Sequence, residues 1–529
     1  MVNPSLFQTS RGTQPPATDT LNHEGAPAYA LTPQHQLAQL AATGCLNHTF
    51  YADADAQLKA TLELAQNIAP EFVAKTALYA RKRGHMKDMP ALLAAVLASR
   101  DVALLAQVFD RIIDNGKMLR NFVQIMRSGV TGRKSLGSRP KKLVQQWLLA
   151  ATEQELLHAA VGNAPSLADV VKMVHPRPQE DWRAAWFAWL VGKPHDEASL
   201  PPVTAAFERF KRALAAGGPS DAIEVPEVPF QMLTALELGR EQWAAIARHG
   251  SWQMVRQSLN TFARHGVFEV PEMAELIAAK LRDPTGIAKA RVMPYQLMSA
   301  YLAAIGSVPP VVSDALQDAM EQALANVPEL SGVVVVCPDV SASMHSPVTG
   351  YRKGATSRMR CIDVAALVAA AILRKNPKAR VLPFEHDVVR VTLNPRDTVM
   401  TNAQKLAAIG GGGTACSAPL RLLNKERAKV DVVILVSDNE SWLDASDQWR
   451  NTTQTMREWE TLKQRNRQAR LVCLDIAPYP GSQAPERQDI LNIGGFSDAV
   501  FTLMRQFMHG ALGNSHWLKE IDAISLSFT

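Results

Sequence analysis

Five oxygen-bearing side chains stand at three places in the C-terminal part of the chain. Asp339, Ser341 and Ser343 form the run Asp339-Val340-Ser341-Ala342-Ser343, Thr414 follows the glycines Gly410–Gly413, and Asp438 ends the apolar run Val432–Ser437. Two carboxylates and three hydroxyls make an all-oxygen donor set, suited to a hard divalent cation such as Mg²⁺ and unsuited to zinc. Such a set also leaves a coordination position open. A D-x-S-x-S run alone is a weak signal, because Asp339 and Ser341 also suit a helix cap and Asp438 an Asx-turn. The three segments together are stronger. Each lies where a strand of an open parallel sheet would end, and loops at the carboxyl ends of such strands converge in one crevice.

A second chemistry lies earlier. The loop Arg127-Ser128-Gly129-Val130-Thr131-Gly132-Arg133-Lys134-Ser135-Leu136-Gly137-Ser138-Arg139-Pro140-Lys141-Lys142 combines three glycines with six basic residues. Glycines let a backbone approach an anion, and Lys/Arg supply charge. Ser138 is expected as the N-cap of a following helix whose first turn holds Pro140, so free N–H groups and a positive dipole end face the loop. The plainer reading is a solvated basic loop. It is not a P-loop, since G-x-x-x-x-G-K-[ST] is absent. Around it, Arg111 to Lys142 carries nine Lys/Arg against one acid, Asp114, a local field that a polyanion would feel. Tyr79–Pro90, with Arg83 and Lys87, adds basic residues around a helix end, where they also complement the dipole. Ser166-Leu167-Ala168-Asp169 has the form of a capping box opening a helix that ends at His175, a residue that at a helix C-terminus is more often a cap than a ligand.

The elements that must position these groups fall into two textures. Residues 1–32, rich in Pro, Thr and Gln, suggest an N-terminal tail. From 33 to 328 apolar residues recur at helical spacing in short segments broken at Gly44, Pro70, Gly84, Gly116, Gly129 and Pro194, which predicts stacked helix pairs without a strict sequence repeat. Trp182, Trp186 and Trp189 share one helical face and are expected in the packing between helices. From 329 to 510, apolar runs (333–337, 379–384, 430–436, 470–475) alternate with helical segments (362–373, 419–426, 457–468). That alternation predicts a doubly wound parallel sheet buried on both faces, followed by a C-terminal tail over 511–529.

Composition bounds the alternatives. The 529 residues are 47% hydrophobic and 20% charged, a globular balance, with a mild net charge of +6. Five cysteines without a C-x-x-C exclude zinc-ribbon and disulfide-scaffold readings and suggest a reducing, cytoplasmic compartment. The first thirty residues show no basic-then-apolar leader pattern, and no apolar run is long enough to span a bilayer, so no membrane association is expected. H-E-x-x-H, G-x-S-x-G and Gly-rich nucleotide fingerprints are all missing. The dispersed oxygen site lacks the second carboxylate cluster that a two-metal nuclease needs. The expectation is a binding protein rather than an enzyme.

The oxygen set resembles the metal-ion-dependent adhesion site of von Willebrand factor A domains. That resemblance implies direct contact of Ser341, Ser343 and Thr414 with Mg²⁺, Asp339 and Asp438 acting directly or through water, and a partner carboxylate completing the shell. Taken with Tyr79–Pro90, Arg127–Lys142 and Ser166–Pro178, the layout resembles the Ro autoantigen family, whose helical portion is the TROVE module. The resemblance implies HEAT-like repeats closed into a ring, an A domain joining the ring's ends, and a monomer. It further implies structured Y-like noncoding RNA on the outer surface, single-stranded ends of misfolded or unprocessed noncoding RNA in the hole, and an exoribonuclease tethered through RNA. Arg83, Lys87, Arg127, Arg133, Lys134, Arg139, Lys141 and Lys142 would then contact phosphates, and His175 would stack on or hydrogen-bond to RNA. The helix over 153–162 departs from the family in having no Lys or Arg, so the Y-RNA face is expected to be shifted or weaker. The competing reading is a metal-dependent protein-binding scaffold that uses the A domain without direct RNA function.

Overall fold

In the computed structural model, the described residues are 16–527 apart from 45, 47, 48, 50, 217–223, 291, 293, 325, 326, 349–358, 444–451, 478, 496, 498 and 510–514. Cys45 lies outside them; Cys337, Cys361, Cys416 and Cys473 are free thiols and buried. The chain divides into two compact units, one of residues 1–64, 293–295 and 324–524, the other of 65–292, 296–323 and 525–529.

The first unit is built on β-structure. Its strands are β1 (Thr20–Leu21), β2 (Pro27–Ala30), β3 (Val334–Pro338), β4 (Arg380–Val381), β5 (Val432–Ser437), β6 (Arg470–Asp475), β7 (Gly481–Ser482) and β8 (Ile490–Gly494). Five of them form one parallel sheet in the order β4-β3-β5-β6-β8. All residues of β3, β5 and β8 are buried, as β-branched runs covered on both faces should be. Val335, Cys337, Val433, Leu435, Leu471 and Cys473 pack with Leu420, Leu423, Met456, Trp459 and Leu462 of the helices Ala418–Lys425 and Gln454–Lys463. The helix Cys361–Lys375, also almost wholly buried, packs on β3, β4 and β5. The chain starts the sheet at β3, steps outward to β4 and returns on the other side at β5. A topological switch point therefore falls between β3 and β5, where such folds place a ligand crevice.

Both expected tails are structured where described. Tyr29 and Ala30 of β2 pair antiparallel with Ser482 and Gly481, and β1 pairs with β2. The helix Pro33–Thr43, expected in the helical module, packs instead on β8, with Gln39 donating to the Ala477 carbonyl at 2.9 Å. The helix His516–Asp522 also packs on β8, burying Trp517 and Ile521. Short strands such as β1 and β2 carry too few residues for a periodic signal, which is why this region looks like a tail in sequence. The helix Val399–Ala407 and strand β8 were equally invisible, β8 because its central Asn492 interrupts an apolar run.

The second unit is a solenoid of helix pairs. Asp88–Arg100 packs on Gly116–Ser128, and that helix on Glu153–Ala160. In the other layer Val102–Ile112 packs on Ser138–Ala150, and that on Leu167–Val174. A repeat hidden from the sequence appears in its hydrogen bonds. Arg100 Nη1 donates to the carbonyls of Ala65 and Ile68, Arg133 Nη1 to Ala98, Arg183 Nη1 to Leu148 and Ala151, and Lys280 Nζ to Ala247, Arg248 and Gly250. The sequence separations run from 30 to 35. Each time a basic side chain satisfies carbonyls at or near the end of a helix about one repeat upstream, where unpaired acceptors and the negative dipole end favour a cation. Trp186 is fully buried with Nε1 donating to Thr204 at 3.1 Å, as expected of an inter-helix packing residue.

Candidate metal centre and basic surface

The crevice between β3 and β5 gathers the five oxygen-bearing residues singled out in the sequence. Asp339 leaves the end of β3 and Asp438 the end of β5; the Asp339 N–H donates to the Val436 carbonyl at 2.9 Å, tying the two strand ends together. Ser341 N donates to Asp339 Oδ1 at 2.8 Å and Ser437 Oγ to Asp339 Oδ2 at 2.6 Å. Ser341 Oγ and Ser343 Oγ are 3.3 Å apart. The glycine loop arrives through an Ala342 N–H bond to the Gly412 carbonyl at 2.9 Å, which brings in Thr414. Gly411 is required there: a Cβ would lie 2.7 Å from the Ala342 backbone. All five residues are buried: Asp339 and Ser341 at 0% exposure, Thr414 at 1%, Asp438 at 3% and Ser343 at 5%.

The electrostatics are those of a site lacking a positive charge. Burial pushes the Asp438 carboxyl up to about 7, and the neighbouring Asp339 charge adds to the rise; burial raises Asp339 as well. No Lys or Arg is among the main causes of either shift. A hard cation would relieve that repulsion, and the donors available to it are all oxygen. No group of three or more His, Cys, Asp or Glu side chains is arranged for a metal among the described residues, so any cation here depends on the hydroxyls.

Sequence reasoning missed the groups that surround these ligands. Asn439, at φ 62°, donates through Nδ2 to the buried carboxylate of Asp475, which burial and then the charges of Asp438 and Glu440 raise well above the ordinary range. Glu440 N donates to Asp438 Oδ1 at 3.2 Å. The signal was available: Ser437-Asp438-Asn439-Glu440-Ser441 is an unbroken polar run that begins at the last residue of β5, and all five are buried.

In the second unit the basic loop behaves partly as expected. Its glycines Gly129, Gly132 and Gly137 all have positive φ, at 86°, 81° and 73°, conformations that a Cβ would strain. Leu136 and Thr131 are buried and anchor it, while Arg127, Arg133, Lys134, Arg139 and Lys142 are exposed and Lys141 half-buried. Ser138 is not the N-cap. Gly137 holds that position without a side-chain cap, because its φ already turns the chain into the helix Ser138–Ala150. Arg120, counted in the basic field, is buried against the carbonyls of Pro165 and Val161 and serves the fold.

The three basic segments are brought together. Ser166 caps its helix in a box with Asp169, whose carboxyl is held low by bonds from Ser166 and also feels Lys172 and Arg127. His175 ends the same helix as an exposed left-handed cap, and Gln145 of the helix after the loop donates to the Val174 carbonyl at 2.6 Å. Asn121 donates to Asp88 at 3.0 Å, joining the segment with Arg83 and Lys87, both exposed. Arg81 and Lys82 are instead taken up by Asp114, at 2.7 and 3.0 Å. Incomplete hydration and then the charges of Lys117 and Arg81 pull Lys87 below the usual lysine range. Glu153–Ala160 carries no Lys or Arg, and a Thr152–Glu155 capping box opens it.

Residues 333–508 match the family model described as the Ro60 vWA domain. The RNA-binding protein RO60 of Deinococcus radiodurans is 24% identical over 92% of this chain and 95% of its own length. The RNA-binding protein RO60 of Caenorhabditis elegans is 22% identical over 45% of this chain and 37% of its own. The crystal structure of the Deinococcus radiodurans RO (RSR) protein aligns with a TM-score of 0.60 at 21% identity, covering 91% of this chain and all of that one. The chain is thus similar to RO60 proteins along nearly its whole length, with residues 333–508 matching the Ro60 vWA domain model.

Proposed function

We propose that this chain is an RNA-binding protein of the Ro type, a binding protein rather than an enzyme. The observation that carries this reading is the set of exposed basic side chains on the loop from Arg127 to Lys142, which is turned by three left-handed glycines and followed by a helix whose Gln145 bonds the carbonyls of Val174 and His175. The names of its relatives support it. In the finer reading the loop, with Arg83 and Lys87, grips phosphates of a small structured Y-like RNA, and His175 stacks on or bonds to a base. Misfolded or unprocessed noncoding RNA and an RNA-tethered exoribonuclease are the further partners, and the protein acts as a cytoplasmic monomer. In the A domain, Asp339, Ser341, Ser343, Thr414 and Asp438 hold Mg²⁺, which offers its open position to a carboxylate of a partner protein. The buried, mutually repelling Asp339–Asp438 pair favours that second, metal-dependent docking role.

The test is the affinity for a hairpin RNA with a single-stranded tail, measured across a salt series. A steep loss of affinity with salt is expected; a flat response would leave only the scaffold reading. Lys134→Ala with Lys142→Ala should lower the log–log slope by up to ~2 without altering folding, because exposed lysines contribute little stability. Unchanged affinity in the folded double variant would remove the loop from the site.

A further inference from the structure

The loop that carries Asp438 is gripped by residues that lie outside the segment matching the family model. Asn22 and His23 occupy the turn between β1 and β2. Asn22 Oδ1 accepts from Glu24 N at 3.1 Å and Ala26 N at 2.8 Å, which fixes the turn, while its Nδ2 donates to the Ser441 carbonyl at 2.8 Å. His23 engages both oxygens of Glu440: its backbone N–H donates to Oε2 at 2.9 Å, and its Nδ1 lies 3.0 Å from Oε1. Glu440 is 1% exposed, so His23 is the group that makes its burial tolerable. The His23 ring is itself fixed by Tyr51, stacked at 5.5 Å, and Tyr479, edge-on at 5.0 Å.

Both gripped residues bond directly to proposed metal ligands. Glu440 N donates to Asp438 Oδ1, and Ser441 Oγ donates to the Thr414 carbonyl at 3.4 Å while accepting from Cys416 N at 3.0 Å. We propose that Asn22 and His23 are positioning residues of the A-domain metal site, so that its cation affinity depends on the N-terminal segment. A contact that only stabilised the fold would not need to engage the two residues bonded to Asp438 and Thr414. The proposal rests on the metal reading of Asp339, Ser341, Ser343, Thr414 and Asp438 given above.

The experiment titrates Mn²⁺ into the full chain, following free Mn²⁺ by electron paramagnetic resonance, with the metal-free melting temperature measured alongside. Groups that orient ligands typically change metal affinity tenfold or more when removed. His23→Ala should therefore weaken Mn²⁺ binding about tenfold, His23→Gln, which keeps a donor for Glu440, should restore most of it, and Leu21→Ala, at an exposed neighbour, should change nothing. Hydrogen exchange at Asn439–Ser441 in the metal-free protein should quicken in His23→Ala. A folded His23→Ala that binds Mn²⁺ within twofold of wild type overturns the proposal while leaving the metal site standing. If His23→Ala does not fold, Asn22→Asp, which keeps the oxygen that fixes the turn and removes the donor to the Ser441 carbonyl, is read by the same two outcomes. Failure of wild type itself to bind Mn²⁺ overturns both the site and the proposal.

Discussion

Asp438 is buried beside a second carboxylate, Asp339. Its carboxyl sits near 7, against an ordinary value of 3.8, because burial and the Asp339 charge both oppose ionisation. The folded pKa thus lies above the unfolded one. Between about pH 4 and pH 7 the folded chain keeps a proton that the unfolded chain has released, so stability falls as pH rises, and the loss is complete above about pH 7. Asp438→Asn keeps an oxygen for the Glu440 N–H and removes the charge. We predict that it flattens this slope and raises the metal-free unfolding midpoint at pH 8, while abolishing Mg²⁺ binding. Saturating Mg²⁺ should flatten the wild-type slope in the same way, by favouring the ionised pair. Urea unfolding at pH 5 and pH 8, with and without Mg²⁺, decides it; equal wild-type stabilities at the two pH values without metal would show that the pair is not strained.

The helix pairs are held by a device that belongs to neither helix alone. Arg183 is 4% exposed and donates to the carbonyls of Leu148 at 3.1 Å and Ala151 at 2.7 Å, so its charge closes the end of Ser138–Ala150. Arg183→Ala removes packing and leaves buried acceptors without a donor, a loss of about 2–3 kcal/mol. Lys142→Ala, on the same helix but exposed, should stay within about 0.5 kcal/mol. Denaturation followed by circular dichroism compares them; equal effects would refute the capping role. The same distinction explains what was legible in the sequence. Apolar periodicity located Pro33–Thr43, Ala54–Asn67, Val102–Ile112 and β6 almost to the residue, because burial of one face imposes a local pattern. The candidate site residues Asp339 and Asp438 were legible because they terminate such runs. The Arg/Lys caps, the turn at Asn22–His23 and the Glu440 contact were not. They join residues dozens to hundreds apart in sequence, and nothing local marks an arginine as buried or a glutamate as gripped.

At the scale of the whole molecule, sequence order and spatial grouping diverge. Residues 1–64 fold with 324–524, so the A-domain unit is assembled from both sides of the helical repeats. The proposed metal ligands and the residues proposed to position them, Asn22 and His23, belong to that unit, and the basic loop with His175 belongs to the other. Sites built from separate residues with no shared partner behave additively within about 0.3–0.5 kcal/mol, less than a threefold change in affinity. Asp339→Ala is therefore predicted to abolish metal binding and to leave the affinity for a tailed hairpin RNA within threefold of wild type. EDTA should likewise leave the wild-type RNA affinity unaltered at constant ionic strength. Coupling would require a two-state element that both ligands bias, and a ligand shifts such an equilibrium only by its differential affinity for the two states. The measurement is an RNA titration of wild type and Asp339→Ala, each with Mg²⁺ and with EDTA. A tenfold change that appears on chelation in wild type, and is absent in Asp339→Ala because the metal is already lost, would show that the A domain controls RNA access.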